Sequence, residues 1–97
     1  MSLEIKEIFD DQGNKVGEAE YVDGQPNGYC RLWYLNGQKQ LDAHMKNGDY
    51  NGSYCSYWEN GQLKEKGTYC DGFEIGGYSW FDQNGELIKE HDYGEGS

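Results

Sequence analysis

Aliphatic side chains are scarce in this chain. Leu, Ile, Val and Phe together number 15 in 97 residues, a level that with a net charge of −10 ordinarily marks an unfolded segment. Basic residues are also few, 8 against 18 acidic ones, and they stand singly among Glu and Asp. Phosphate-backbone binding needs clustered Lys and Arg, so no nucleic acid is expected as a partner. Anionic membrane surfaces are disfavoured for the same reason. No apolar run is long enough to cross a bilayer and no charged-then-apolar leader opens the chain, so a cytoplasmic location is expected. The three cysteines, Cys30, Cys55 and Cys70, are odd in number and form no C-x-x-C pair. They read as reduced thiols packed in or beside secondary structure, with no metal site and no cofactor implied. His44 and His91 lie in no catalytic motif, and G-x-S-x-G, H-E-x-x-H and P-loop spacings are missing. No catalytic residues are assigned and no enzyme is expected, although a Cys–His pair meeting in space is not visible to sequence.

Glycine, by contrast, is abundant and periodic. Gly13, Gly37, Gly61 and Gly85 recur every 24 residues, as do Gly24, Gly48 and Gly72, and Gly28, Gly52 and Gly76. Ten of the 15 glycines therefore share one register, which identifies a repeat protein whose copies bury apolar surface against their neighbours. Asn36, Asn60 and Asn84 precede one series, and Asp23, Asn47 and Asp71 another. Asn-Gly and Asp-Gly are hairpin dipeptides, because a type I′ turn needs positive φ at both central residues. The stretches between them are rich in strand formers, and none carries a helical period. Asp23–Gly28, Asn47–Gly52 and Asp71–Gly76 read as longer turns between hairpins. The expectation is an all-β, elongated meander of about four antiparallel hairpins with a 24-residue period, at residues 5–24, 28–48, 52–72 and 76–93 of a single domain spanning 1–97. Met1-Ser2-Leu3 and Gly94-Glu95-Gly96-Ser97 read as expression-vector remnants and are set aside.

Aromatic residues supply what the aliphatics do not. Nine Tyr, three Trp and three Phe recur at fixed phase. Phe9, Trp33, Tyr57 and Phe81 form an always-aromatic column, which is what a layer shared by all units requires. Tyr21, Tyr69 and Tyr93 fall in a second column with Met45, and Tyr54 and Tyr78 in a third with Cys30. With Leu63 and Leu87 these residues are the expected repeat core, stacked rings replacing aliphatic packing. Tyr54 and Tyr57 are three apart, so either a bulge corrects the register or the sheet uses both faces.

The run Gly52-x-Tyr54-x-x-Tyr57-Trp58-x-Asn60-Gly61, continuing through Leu63 and Tyr69 to Asp71-Gly72, resembles the MORN repeat in the variant form found in bacterial proteins of tandem hairpins. The resemblance covers about residues 9–93. Cys30 stands for the expected first aromatic of the second unit, Lys39 for an apolar residue, and the first unit lacks the Asn-Gly turn. It implies a curved single sheet used for binding, and an antitoxin-like role is attached to some relatives.

The column Asp10, Tyr34, Trp58, Asp82 changes from acid to aromatic and back, and lies on the opposite face from the Phe9 column. Tyr34 and Trp58 are candidate partner-binding anchors, since large rigid rings dominate binding surfaces; the alternative is that they cover a small cluster with Leu63. Tyr50 and Phe73, placed in the inter-hairpin turns, are further candidates at one rim. The expected function is non-catalytic protein binding. A basic partner suits the acidic field, with neutralisation of a basic partner in an antitoxin-like manner as one form. Homodimers formed through terminal strands, as a structural scaffold, are the alternative.

Overall fold

A computed structural model describes residues 2–95 as one antiparallel sheet of eight strands. The strands are β1 (Leu3–Phe9), β2 (Lys15–Val22), β3 (Gln25–Trp33), β4 (Lys39–Lys46), β5 (Asp49–Tyr57), β6 (Leu63–Cys70), β7 (Phe73–Phe81) and β8 (Leu87–Asp92). They lie in sequence order, so the topology is the meander expected from the repeat. Of the residues set aside as vector remnants, Met1, Gly96 and Ser97 lie outside the described residues. Leu3 pairs with Val22, and Ser2 exchanges two hydrogen bonds with Asp23. Gly94 O accepts the N–H of Gly76 at 2.7 Å.

The sheet forms a slab of 37 × 36 × 13 Å with no second layer among the described residues. Its accessible surface is 6380 Å², against about 5,700 Å² for a globular chain of this mass. Every side chain must therefore find its packing partners on its own face of the sheet.

Two turn types alternate, and their assignment differs from the sequence expectation. Asp23-Gly24, Asn47-Gly48 and Asp71-Gly72 are tight two-residue connections, with the strand resuming at the next residue rather than after a longer loop. Asp23, Asn47 and Asp71 adopt φ of 51°, 51° and 49°, and the glycines after them are also positive, as a type I′ turn requires. At Asn36-Gly37 and Asn60-Gly61 only the glycine has positive φ. There the Asn Oδ1 accepts the N–H of Gln38 or Gln62, 2.9 Å in each case, and Tyr34 or Trp58 brackets a three-residue loop. The side-chain acceptor makes a wider turn stable, so these Asn residues need no left-handed backbone.

Each of these wider turns is followed by a register shift. Tyr57 pairs with Leu63 while Ser56 pairs with Glu65, which leaves Lys64 as an extra residue on β6. Val16, Gln40 and Ile88 take the same position in the other hairpins. The bulge falls on the partner strand, so β5 alternates regularly from Tyr54 to Tyr57 and sends the two rings to opposite faces. The sheet uses both.

On one face, the tyrosine face, Tyr50, Tyr54, Tyr69, Tyr78, Trp80 and Tyr93 form a continuous aromatic cluster. Tyr50, Tyr54 and Tyr69 are mutually 5.2 Å apart, and Tyr78 meets Tyr54, Tyr69, Trp80 and Tyr93 at 6.4, 6.1, 4.7 and 6.0 Å. Such pairs contribute roughly 0.5–1.5 kcal/mol each beyond area burial. Tyr78 is the core, 2 % exposed, with Ala19, Leu41, Ala43 and Ser56 buried along the same face. The column Phe9, Trp33, Tyr57, Phe81 lies on the other face. It is not the buried layer: Phe9 is 54 % exposed and the other three are half-buried. Among the remaining expected core residues, Tyr21 and Leu63 are half-buried, whereas Leu87 on the outer strand β8 is exposed. The physical reason is the missing second layer, which leaves nothing to cover the Phe9 column or the outer strands.

The other face carries charge beside its rings. Glu7, Lys15, Glu18, Arg31, Asp42 and Lys39 form an ion-pair ladder across β1 to β4, with successive separations of 2.7, 2.6, 3.8, 3.8 and 3.1 Å. The Glu18 and Glu7 carboxylates hold the Lys15 ammonium above its ordinary pKa. The first two hairpins are thus joined by charge where the later ones are joined by tyrosines.

Candidate functional site

The turn after β3 begins at Tyr34 and the turn after β5 at Trp58, and both side chains lie across the following hairpin. Tyr34 donates its hydroxyl to Tyr57 O at 2.6 Å, and Trp58 Nε1–H donates to Phe81 O at 3.0 Å. Asn36 and Asn60 reinforce them, their Nδ2 groups donating to Glu59 O and Gln83 O at 2.8 Å. Asp10 and Asp82, in the same column, turn inward instead. Asp10 Oδ1 accepts the N–H groups of Gln12 and Asn14, and Asp82 Oδ1 those of Asn84 and Glu86. These bonds, first among them that from Asn14, hold the Asp10 carboxyl below its usual pKa. The acid-to-aromatic change in this column is therefore a change of role: acids close their own turn, aromatics clasp the next unit.

With their polar ends committed to main chain, Tyr34 and Trp58 leave their rings to line two adjoining cavities. One, of about 240 Å³, is bounded by Leu32, Leu41, Tyr54, Ser56, Glu65 and neighbours; the other, of about 410 Å³, by Trp58, Glu59, Asn60 and Gln83. Tyr34 and Lys64 line both. Lys64, the bulge residue, sets its Nζ 4.7 Å from the Trp58 ring centroid. At the inner end Glu65 is half-buried, accepting from Ser56 Oγ and Tyr78 OH at 3.1 Å each. Burial, then the Tyr69 hydroxyl and the Glu65 charge, push the Tyr78 phenol well above its ordinary pKa, and burial followed by Glu65 does the same at Tyr54.

The four candidate anchors do not converge. Tyr34 and Trp58 share the rim at the wider turns. Tyr50 lies within β5 rather than in a turn, pairs with Met45 and packs on Tyr54 and Tyr69. Phe73 opens β7 at the opposite rim, 74 % exposed. Glu65, Ser56, Lys64 and Gly67 were not singled out from sequence. The column Ala19, Ala43, Gly67 held the one readable signal: small residues stand opposite Cys30 and Tyr54, leaving room for rings. Lys64 gave none, because a bulge residue is set by pairing rather than by composition.

Among the described residues no three His, Cys, Asp or Glu side chains gather as a metal site, and no helix is long and apolar enough to cross a membrane. Eight strands in sequence order, tied unit to unit by bonds that repeat along the chain, define a β-hairpin repeat protein. Residues 50–71 match the family model for the MORN repeat variant, so the third hairpin is similar to that repeat. No curated protein and no solved structure matches it.

Proposed function

We propose that this chain is a non-catalytic interaction module that binds a basic protein partner on the tyrosine face, at the rim built by Tyr34 and Trp58. The observation that carries this reading is the pair of adjoining cavities, both lined by Tyr34 and one also by Trp58, on a one-layer sheet whose net charge is −10. Opposite fields steer association, and rings whose polar atoms are already satisfied offer apolar area at little entropic cost. Neutralising a basic toxin would be one such task, in keeping with the role attached to some MORN-variant proteins. The test is affinity capture beside two variants: Tyr34→Ala/Trp58→Ala, checked by circular dichroism, and Glu59→Lys, which reverses an exposed charge at the cavity without touching either clasp. A basic protein retained by the parent and lost by both variants supports the reading. Retention by all three overturns it.

A second reading has its own observation. Leu3, Ile5, Ile8 and Phe9 on β1, and Leu87 and Ile88 on β8, are at least half exposed on the outer strands or nearly so, as an edge-pairing scaffold would need. Glu4, Lys6 and Glu7 on β1, and Lys89, Glu90 and Asp92 on β8, oppose it by charging both edges. Sedimentation equilibrium at several concentrations decides: a dimer abolished by Ile5→Lys favours the scaffold.

A further inference from the structure

We propose that the two adjoining cavities that share Tyr34 and Lys64, one of them also lined by Trp58, form a receptor for a single arginine side chain of the partner, with Lys64 as its intramolecular placeholder. This rests on the reading that a basic protein docks at this rim and names the group it inserts. Five of the eight basic residues already lie over aromatic rings: Lys6 on Tyr21, Lys15 on Trp33, Arg31 on Tyr29, Lys64 on Trp58 and Lys89 on Trp80, at 4.4, 5.9, 4.3, 4.7 and 4.7 Å. Ring faces here attract cations, and Lys64 differs from the others in what surrounds it.

Lys15 and Arg31 are fixed by the ion-pair ladder, while Lys64 takes part in no ion pair among the described residues. Lys6 and Lys89 lie on the outer strands, whereas Lys64 forms the shared wall of two cavities. It is the only cation in its column of bulge residues, the others being Val16, Gln40 and Ile88. Rotation of its side chain toward solvent would merge the cavities and leave two carboxylates, Glu59 and Glu65, beside two rings. A planar guanidinium uses that combination better than an ammonium, because it stacks on a ring while its fork donates to carboxylate oxygens. Glu65 retains acceptor capacity, since Ser56 and Tyr78 occupy one lone pair on each oxygen.

The experiment titrates the protein with hexa-arginine and with hexa-lysine peptides and follows the Trp58 indole N–H by ¹H–¹⁵N NMR. Lys64→Ala and Lys46→Ala are compared with the parent; each removes one positive charge, and Lys46 is exposed at the end of β4. The expected result is a Trp58 shift with hexa-arginine, weaker binding of hexa-lysine, and binding to Lys64→Ala about two- to fivefold tighter than to Lys46→Ala. Equal tightening in both variants, or peptide binding that leaves the Trp58 signal unmoved, assigns binding to the general acidic field and overturns the receptor, while the basic-partner reading stands. Failure of both peptides to bind overturns both.

Discussion

Tyr34 reaches 23 residues along the chain to donate its hydroxyl to the main-chain oxygen of Tyr57 at 2.6 Å. Trp58 makes the corresponding bond to Phe81 by different chemistry, an indole N–H in place of a phenol. The position therefore selects for a long aromatic donor rather than for one residue type, and the ring comes with the donor. The proposed binding rings and the inter-unit clasps are the same two side chains.

Tyr34→Phe keeps the ring and removes the donor. It should lower stability by about 1 kcal/mol, the usual net worth of such a bond, in urea unfolding. The cavity-lining ring remains, so capture of the partner should persist.

Gly67→Ala should be among the most disruptive small changes in the chain. A Cβ there would overlap the ring of Tyr78, the largest fully buried side chain among the described residues. A loss of about 1–3 kcal/mol is expected from overpacking. Gly77→Ala is the control, because a Cβ at Gly77 meets no atom within 4 Å; its change should stay within about 0.5 kcal/mol.

Alkaline pH should unfold the protein through its tyrosines. The folded-state pKa values of Tyr54 and Tyr78 lie above the ordinary 10.0, chiefly because burial disfavours the phenolate. The unfolded chain releases these protons first, so the stabilisation is fully present below pH about 10 and falls as pH rises beyond it. Absorbance of phenolate should appear in two phases, the later one coinciding with loss of the near-ultraviolet circular dichroism signal. A single phase near pH 10 with the fold intact would contradict the burial of these rings.

Asn47→Val places a β-branched residue at φ 51°. The expected cost is about 1–2 kcal/mol by thermal or urea unfolding, whereas Asn47→Gly should be close to neutral because glycine accepts that backbone.

Much of this fold is legible in the sequence because glycine spacing is a backbone property: Gly13, Gly37, Gly61 and Gly85 all adopt positive φ, as their shared phase implies. The turn types were less readable, since Asn36 and Asp23 look alike beside a glycine and differ only in whether the side chain or the backbone closes the loop. The opposite facing of the Phe9 and Asp10 columns follows from strand alternation. Which face is buried does not, because that depends on how rings lean on one another within one layer. The prominence of Tyr34 and Trp58 is visible in their column, but their bonds to Tyr57 and Phe81 are not, since carbonyl positions carry no sequence signature.

The bonds that the Tyr34, Asn36, Trp58 and Asn60 side chains make to the next unit all span 23 residues and end on main-chain oxygens. Carbonyl oxygens are common to every residue, so the acceptor half of each joint is independent of what the next hairpin is made of. A duplicated 24-residue segment inserted in frame would find its clasps already satisfied. Length is thus an adjustable quantity in this architecture, and the reach of such a surface can grow or shrink in whole steps without redesign of the joints.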